Sequence, residues 1–530
     1  MMFKQSLLYA CILALAGLLS LSTVATSLAS NKETLVIGMQ DFTVSLDPAK
    51  AYEVTSWGMM TQLYERLINF EGDDFTHPEP ELAESWEIQD DGKTWMFHIR
   101  KGILFSSGNP VNADAVVFSL RRAVRLENEP SWVLTQFGIT EKSITKLDDY
   151  TVQIVLDQQY APTLFLSCLT TFVGSIIDPK VVMEHDQDGD MGSAWLEQHS
   201  AGTGPFVLDQ REQTEPVQYI LTANERYWKD KSEFRKIIVK RMQEPLEQAI
   251  SLERGDIDIA WNLQPDQAKR LKGNPTIQIA ESLTFRLIYL SMNLDYAPFQ
   301  SSEVRNAIRY AIDYDGIIDY ILQGAGIKAQ TFIPKGWLGH NPAMPYSRDL
   351  KKVKQLLSVA GYPDGFEVEL ACLNFLPWID VAMKVKSDLR SAGINVKIRP
   401  MNATQLYEEV IAPRNFQMYL WEWLPDFVDP DSNAKVFAHC DSIADDATVK
   451  MMAWEAKYMD LERSKLVEQA ARESDREKRE ELYQQITDNV LNDGPFAFLY
   501  ASIKQYGIRT EVSNIIPYPS MLWSMFPPLK

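Results

Sequence analysis

Segments patterned as β-strands alternate with segments patterned as α-helices along most of the 530-residue chain. TLVIGM at 34–39 is a short apolar run typical of a strand, and apolar residues at helical spacing follow it at 55–67. KIIVKRM at 236–242 is likewise followed by a helical pattern that ends at Gly255. Such alternation favours an α/β protein, and we expect mostly parallel sheets covered by helices.

Several helix boundaries can be read from capping residues. Asn112 precedes ADAVVFSLRRAV and is a good N-cap, and Ser302 is the candidate cap of the helix predicted within 301–313. The strongly helical stretch 463–493 is expected to form two helices that break near Ser474-Asp475.

Net charge limits the classes of partner. The formal charge is −20 and the pI is about 4.9. Nucleic acids and anionic membrane surfaces require a basic face, so we expect neither as the main partner.

The N-terminus has the features of a signal peptide. Lys4 precedes an apolar run at 7–21, and small residues follow it up to Ala29. The run is short for a membrane span of about 20 residues, so cleavage of 1–29 is favoured over an uncleaved anchor. Cys11 lies inside the run rather than after it, so we expect no lipid anchor. The predicted location is the periplasm.

The chain lacks the common signatures of catalysis. None of G-x-S-x-G, G-x-x-x-x-G-K-[ST] or H-E-x-x-H occurs, and the six histidines include no pair at i+4 spacing. We therefore predict a protein that is not an enzyme, with no cofactor and no metal site.

One acidic loop imitates a calcium-binding loop. DQDGDMGSAWLE at 186–197 has aspartates at three alternate positions and a glutamate in the twelfth, but Met191 replaces the glycine of the sharp turn. A solvated acidic loop is the favoured interpretation, and calcium binding remains the alternative.

Three cysteines remain after removal of 1–29, namely Cys168, Cys372 and Cys440. An odd number allows at most one disulfide. The alternative is that they are free, buried thiols that behave as small hydrophobic residues.

Motifs in a consistent order indicate a family. PELAESWE at 80–87, the Asp91-Gly92 turn and RKGILF at 100–105 are accompanied by further matches. These are LDPAKA (46–51), GTGPF (202–206), NERYW (224–228), VRNAIRYAID (304–313), AGYPDGFEVEL (360–370) and DREKREELYQQI (475–486). Together they resemble the extracytoplasmic solute-binding proteins of peptide and nickel ABC importers, solute-binding protein family 5, which include the dipeptide- and oligopeptide-binding proteins.

This resemblance implies a type II, cluster C periplasmic binding protein fold of two α/β lobes. Lobe I would comprise 32–286 and 497–530, with an extra subdomain at about 75–200, and lobe II would comprise 287–496. The chain would cross between the lobes near 285–293 and 496–502, and both stretches are apolar. The implied function is capture of a solute by lobe closure, with delivery to the permease subunits of an ABC importer. We expect a monomer.

The resemblance also assigns a pocket. In YLWEWLPDFVDPDSNA at 419–434, Trp423 and Asp426 match a pattern of peptide binders, in which the aspartate pairs with the ligand ammonium and the tryptophan lines the pocket. Asp429 before Pro430 is expected to shape a turn and to cap the segment after it, and a direct ligand contact is the alternative. A packed strand edge remains the alternative for the tryptophans.

Other candidate ligand contacts have less support from the pattern. Gln40, Asp41 and Phe42 lie where lobe I would meet the ligand. Phe118 matches an aromatic position of the family, although ordinary helix packing explains it equally well.

Trp421 and Glu422 are not explained by the family pattern, and we predict that they contact the ligand and reflect its identity. No cation for a ligand carboxylate is evident near Asp426. A short peptide is the first choice of ligand, and a saccharide, an opine-like conjugate or a metal chelate is the alternative.

Overall fold

The computed structural model describes residues 33–40, 45–71, 74–212, 214 and 217–512. The predicted signal peptide 1–29 and the candidate ligand contacts Asp41 and Phe42 lie outside the described residues. Within the described part, no helix is both long enough and apolar enough to cross a membrane.

The strands are labelled in chain order. They are β1 (Thr34–Met39), β2 (Ile68–Glu71), β3 (Asp74–Pro80), β4 (Ala83–Ile88), β5 (Thr94–Ile99), β6 (Ile144–Asp148), β7 (Thr151–Val155), β8 (Phe206–Glu212), β9 (Gln218–Ala223), β10 (Lys236–Arg241), β11 (Ile259–Ala260), β12 (Ile277–Met292), β13 (Gly326–Lys328), β14 (Glu367–Leu373), β15 (Asn395–Met401), β16 (Met418–Trp423) and β17 (Phe496–Arg509).

The α-helices occupy the segments between strands and flank the sheets. They are Val54–Leu63, Ala113–Leu126, Trp132–Thr135, Pro162–Leu169, Pro179–Glu184, Ser193–Leu196, Pro245–Arg254, Pro265–Leu271, Ser302–Ala311, Tyr314–Gly316, Leu350–Val359, Trp378–Arg390, Ala403–Leu406, Pro430–Phe437, Met452–Glu455, Leu461–Arg472 and Arg476–Asp493.

Two long strands, β12 and β17, form the middle of the largest sheet. Its order is β15-β14-β16-β12-β17-β11-β1-β10-β9-β8, with β13 added beside β17. β12 and β17 pair antiparallel from Ile277↔Arg509 to Ser291↔Phe496. These strands include the predicted crossing stretch 496–502 and all but the last residue of the stretch 285–293. They connect the strands of the first part of the chain to those of the second.

The expectation of mostly parallel sheets is wrong. In the large sheet, as far as the structure describes it, β1 pairs in parallel with β10 and β11, and β14 with β15 and β16. The other pairings are antiparallel. The reason is that β12 and β17 run in opposite directions between the two halves, and β8 and β9 form a hairpin that needs no crossover helix.

A separate antiparallel sheet, in the order β4-β5-β7-β6, lies within the predicted extra subdomain. It has its own apolar core, in which the rings of Trp95 and Phe165 are 4.9 Å apart and those of Phe137 and Phe165 are 5.3 Å apart. The lobe boundaries predicted from the resemblance stay a prediction.

Most of the predicted helix boundaries are confirmed. Asn112 accepts a hydrogen bond from the amide of Ala115, and Asp475 caps the second of the two C-terminal helices. Gly255 ends its helix in the left-handed conformation, with φ of 81°. The cap at 302 is wrong by one residue, because the side chain of Ser301 accepts the hydrogen bond from the amide of Val304.

The three cysteines Cys168, Cys372 and Cys440 are buried and free. The structure therefore favours the free-thiol alternative over a disulfide.

The acidic loop 186–197 uses its carboxylates to hold its own backbone. Asp190 accepts hydrogen bonds from the amides of Gln187, Gly192 and Ala194, and Glu197 forms an ion pair with Lys50. No group of three His, Cys, Asp or Glu side chains placed to hold a metal occurs in the part of the chain that the structure describes.

A buried ion pair joins this loop to the rest of the first half. Arg122 donates to both carboxylate oxygens of Asp47, at 2.6 and 2.7 Å, and both side chains are buried. Arg122 also donates to the carbonyl of Met191, and Ser193 Oγ donates to Asp47. The pair thus connects the turn after β1, the helix Ala113–Leu126 and the acidic loop.

We expect Asp47→Asn to lower the free energy of unfolding by about 3–5 kcal/mol, because it leaves the buried Arg122 charge uncompensated. Urea denaturation measures the effect. Glu225→Gln, which breaks the exposed pair with Lys231, is the matched control and should leave the midpoint unchanged. Equal midpoints for both variants would contradict the structural role of the buried pair.

Candidate functional site

A small, mostly apolar cavity of about 20 Å³ surrounds one carboxylate, that of Asp426. The walls come from three segments of the first part of the chain, and Asp426 is contributed by the second part. The lining residues are Ala51, Tyr52, Trp57, Pro130, Val133, Thr171, Phe172, Val173 and Asp426. This composition provides an aromatic enclosure with one acidic group.

The backbone on both sides fixes the position of Asp426. β16 ends at Trp423, and the helix Pro430–Phe437 begins seven residues later. The amide of Asp426 donates to Ser432 Oγ at 3.1 Å, so the first turn of the helix holds the intervening loop. Asp429 caps this helix by accepting from the amide of Asp431, which confirms the predicted turn and cap.

The Asp426 carboxylate has one hydrogen-bond donor and no cationic partner among the described residues. Tyr52 donates its hydroxyl hydrogen to Asp426 Oδ1 at 2.6 Å, and Trp132 Nε1 donates to the Tyr52 oxygen at 3.0 Å. Burial raises the pKa of Asp426 to about 6, the negative charge of Glu129 adds to the rise, and the Tyr52 hydrogen bond opposes it. A cation placed in the cavity would therefore be stabilised by an otherwise unpaired charge.

Trp421 and Trp423 precede the loop that carries Asp426, but they do not line the cavity. Trp423 is half-buried, and its Nε1 donates to Asn433 Oδ1 at 3.0 Å. Trp421 is also half-buried and packs against the main core. Both therefore have packing roles in this structure, and their contact with a ligand stays a prediction.

Glu422 and Gln40 lie in a second, larger cavity of about 440 Å³. Its walls come from both halves of the chain and include Arg286, Trp261, Trp378 and Tyr500. Glu422 forms an ion pair there with Arg286. The structure thus separates the predicted contacts, with Asp426 in one cavity and Glu422 and Gln40 in another.

Phe118 is half-buried, packs against the main core and does not line either cavity. This placement fits the helix-packing interpretation, and a ligand contact by Phe118 stays a prediction. The carboxylate of Asp429 is already paired, because Arg479 donates to both of its oxygens, at 2.7 and 2.9 Å.

Sequence reasoning missed Tyr52 and Arg286. Tyr52 directly follows the LDPAKA motif at 46–51, so its position next to a family motif was an available signal. Arg286 reaches Glu422 across 136 positions of the chain, and no spacing rule connects residues that far apart.

Comparison with known proteins assigns the family. Residues 77–445 match the family described as "Bacterial extracellular solute-binding proteins, family 5 Middle", and this match covers more than half of the chain. The chain belongs to this family. The predicted family membership is therefore confirmed.

Relatives with known names span nearly the whole chain. The "Probable D,D-dipeptide-binding periplasmic protein DdpA" of Escherichia coli K12 is 31% identical over 496 residues, which is 92% of each chain. "Heme-binding protein A" of Haemophilus influenzae is 29% identical over 511 residues, 92% of this chain and 91% of that protein.

A solved structure agrees with the architecture. The periplasmic binding protein DppA from Helicobacter pylori, in complex with the peptide STSA, matches with a TM-score of 0.77 at 27% identity. The match covers 93% of this chain and 97% of the Helicobacter pylori chain. The α/β two-lobe fold of this family is thus confirmed for the chain.

We expect the Asp426 carboxyl to titrate near pH 6, and Tyr52→Phe to raise its pKa further, because the lost hydrogen bond stabilises the ionised form. Carbon-13 NMR of the carboxyl carbon measures both values. Tyr320→Phe removes a hydroxyl from an exposed tyrosine and should leave the titration unchanged. An unchanged pKa in Tyr52→Phe would contradict the hydrogen bond.

Proposed function

We propose that this protein is the exported solute-binding component of an ABC importer, and that it captures short peptides or similar ammonium-bearing solutes. The carrying observation is the Asp426 carboxylate, which lies in an aromatic cavity and has no cationic partner among the described residues. The dipeptide-related names of its relatives support the same ligand class.

The electrostatics of the cavity select for a ligand cation. A carboxylate among apolar groups is costly when it is ionised and unpaired. A ligand ammonium would form a charge-assisted hydrogen bond with Asp426, and the surrounding rings of Tyr52, Trp57 and Phe172 would exclude water from it. A neutral ligand would leave the carboxylate unpaired, and this difference provides the selectivity.

Closure of the two lobes would complete the cavity. The Tyr52–Asp426 hydrogen bond joins the predicted lobes, and so does the bond from Arg479 Nη1 to Thr163 Oγ1 at 2.8 Å. The amide of Ala161 also donates to the carbonyl of Ala471 at 2.9 Å. Opening would break these contacts and expose the carboxylate, so the ligand enters an open form and is enclosed on closure.

The remaining steps of the proposed role rest on the family and the predicted signal peptide. The signal peptide directs export of the chain and is cleaved after Ala29. The mature protein binds its solute in the periplasm without chemical change and presents it to the permease subunits. It acts as a monomer and needs no cofactor.

A second ligand class has one specific observation in its favour, namely the similarity to Heme-binding protein A. This class comprises metal chelates. Metal chelates, saccharides and opine-like conjugates are the alternatives to a peptide ligand. Mass spectrometry and visible absorption of the ligand that remains bound during purification separate these classes. A retained peptide supports the first choice, and a retained porphyrin, sugar or opine contradicts it.

We expect Asp426→Asn to weaken binding of tri-alanine about 100-fold, because a neutral amide cannot form an ion pair with the ammonium. Isothermal titration calorimetry measures the dissociation constants. The matched control is Asp209→Asn, which changes an exposed carboxylate and should leave affinity unchanged. N-acetyl-tri-alanine should bind the native protein weakly, and equal affinity for both peptides would contradict the ammonium site.

Peptide binding should also weaken below about pH 6. The ligand requires the ionised carboxylate, and the free protein protonates Asp426 with a pKa of about 6. The dissociation constant should therefore rise about tenfold per pH unit well below this pKa and stay constant above it. Calorimetry from pH 4 to pH 8 tests the profile, and a flat profile in the native protein would show that Asp426 ionisation is not needed.

A further inference from the structure

The larger cavity contains an arginine with unused hydrogen-bond donors. Arg286 donates through Nη1 to Glu422, whereas Nε and Nη2 have no acceptor among the described residues. A guanidinium has five N–H donors, so a single carboxylate contact leaves most of them available. The side chains of Arg286 and Glu422 are 26% and 27% exposed, so both are accessible from the cavity.

A bulge in β12 presents Arg286 to this cavity. Leu283 pairs with Ile503 and Leu287 pairs with Ala501, so residues 284–286 stand opposite the single residue Ser502. The bulge is held by Thr284 Oγ1, which bonds to Ser502 and accepts from the amide of Arg286. Bulges of this kind redirect a side chain from the regular alternation of a strand.

Phe285 and Arg286, adjacent in the bulge, have different environments. Phe285 is buried and packs against Trp337 with ring centroids 4.8 Å apart, whereas Arg286 lines the cavity. Partial burial of the Arg286 guanidinium costs desolvation free energy, so this placement does not by itself stabilise the sheet. The bulge thus places the guanidinium where a ligand can reach it.

A second residue in the same cavity has an unused hydrogen-bond acceptor. Gln505 is buried and donates through Nε2 to Glu281, but its Oε1 accepts no hydrogen bond from the described residues. Buried amide oxygens are rarely left unpaired in folded proteins. Together with Arg286, it provides an unused donor and an unused acceptor on the wall of one cavity.

The charges of the two cavities are opposite. The described charged residues that line the larger cavity are Arg286, Lys504 and Glu422, two cations and one anion. The smaller cavity has only the Asp426 carboxylate among its described lining residues. Glu422 and Asp426 are four residues apart, so their Cα atoms lie at most about 14 Å apart. A short extended peptide can cover a distance within this bound.

We propose that Arg286 binds the carboxylate of the ligand and that Glu422 occupies this position until the ligand arrives. The ligand carboxylate takes the place of the Glu422 carboxylate on the guanidinium, and Glu422 turns towards the open part of the cavity. One ion pair replaces another, so the exchange leaves Arg286 paired in both states. This inference rests on the proposed peptide function, and it makes the ligand a short zwitterion that spans both cavities.

Calorimetry with tri-alanine and its C-terminal amide tests the role of Arg286. In the native protein, amidation should weaken binding about 10- to 100-fold, since it removes a charge-assisted hydrogen bond. Arg286→Gln should lower affinity for the acid and abolish this discrimination, and Arg286→Lys should retain part of it. Arg270→Gln, at an exposed pair with Glu253, should retain all of it.

Glu422→Gln separates the placeholder role from a simple structural role. This variant frees Arg286, so it should bind the acid several-fold more tightly than the native protein and increase the discrimination against the amide. Equal discrimination in Arg286→Gln and the native protein would overturn the inference, and so would weaker binding of both peptides to Glu422→Gln.

N-terminal acetylation distinguishes the failure of this inference from failure of the proposed function. If acetylation weakens binding and amidation does not, the ammonium site stands and the role of Arg286 is wrong. If neither modification changes affinity, both the proposed peptide function and this inference are wrong.

Discussion

The antiparallel pairing of β12 with β17 is the constraint on which the rest of the molecule depends. These strands lie in the middle of the largest sheet, and every strand on either side is placed relative to them. β16 pairs with β12, with Trp423 opposite Leu287, so the register of β12 determines where β16 ends and where the Asp426 loop begins. The bulge at 284–286 interrupts the same ladder. Both cavities thus take their position from one pair of strands.

Charged groups in this protein fall into two kinds. Asp47 with Arg122, and Asp429 with Arg479, are buried pairs in which the arginine contacts both carboxylate oxygens. Such pairs leave little capacity for a ligand, and they join distant segments. Asp426 and Arg286 are incompletely satisfied and face cavities. The contrast shows that the fold can satisfy its charges, so incomplete pairing at these two residues calls for a functional reason.

Local chemistry explains what could be predicted from the sequence. Asn112, Gly255 and Asp475 act on backbone groups within a few residues, so their patterns predicted helix ends correctly. The motifs between 46 and 486 identified the family because their order can be read without knowledge of any contact. Asp429 was likewise recognised as a turn residue from its neighbour Pro430.

Contacts between distant segments explain what could not be predicted. The Tyr52–Asp426 bond spans 374 positions and the Arg286–Glu422 pair spans 136, so neither has a signature in the sequence near Asp426 or Glu422. The prediction of strand direction was wrong for the same reason, because the antiparallel pairing of β17 with β12 joins segments that are far apart in the sequence. Glu422 and Asp426 lie in two different cavities, and this could be seen only from the three-dimensional structure.

The buried state of the three cysteines has a consequence for biogenesis. Burial raises the pKa of Cys372 and Cys440 to about 11 and that of Cys168 further above its usual range, so the reactive thiolate is scarce in the folded protein. The unfolded chain exposes all three thiols, and in an oxidising compartment they can form disulfides that the native structure does not contain. In such a compartment, folding would protect the protein chemically, because burying the sulfur atoms in the core competes with their oxidation.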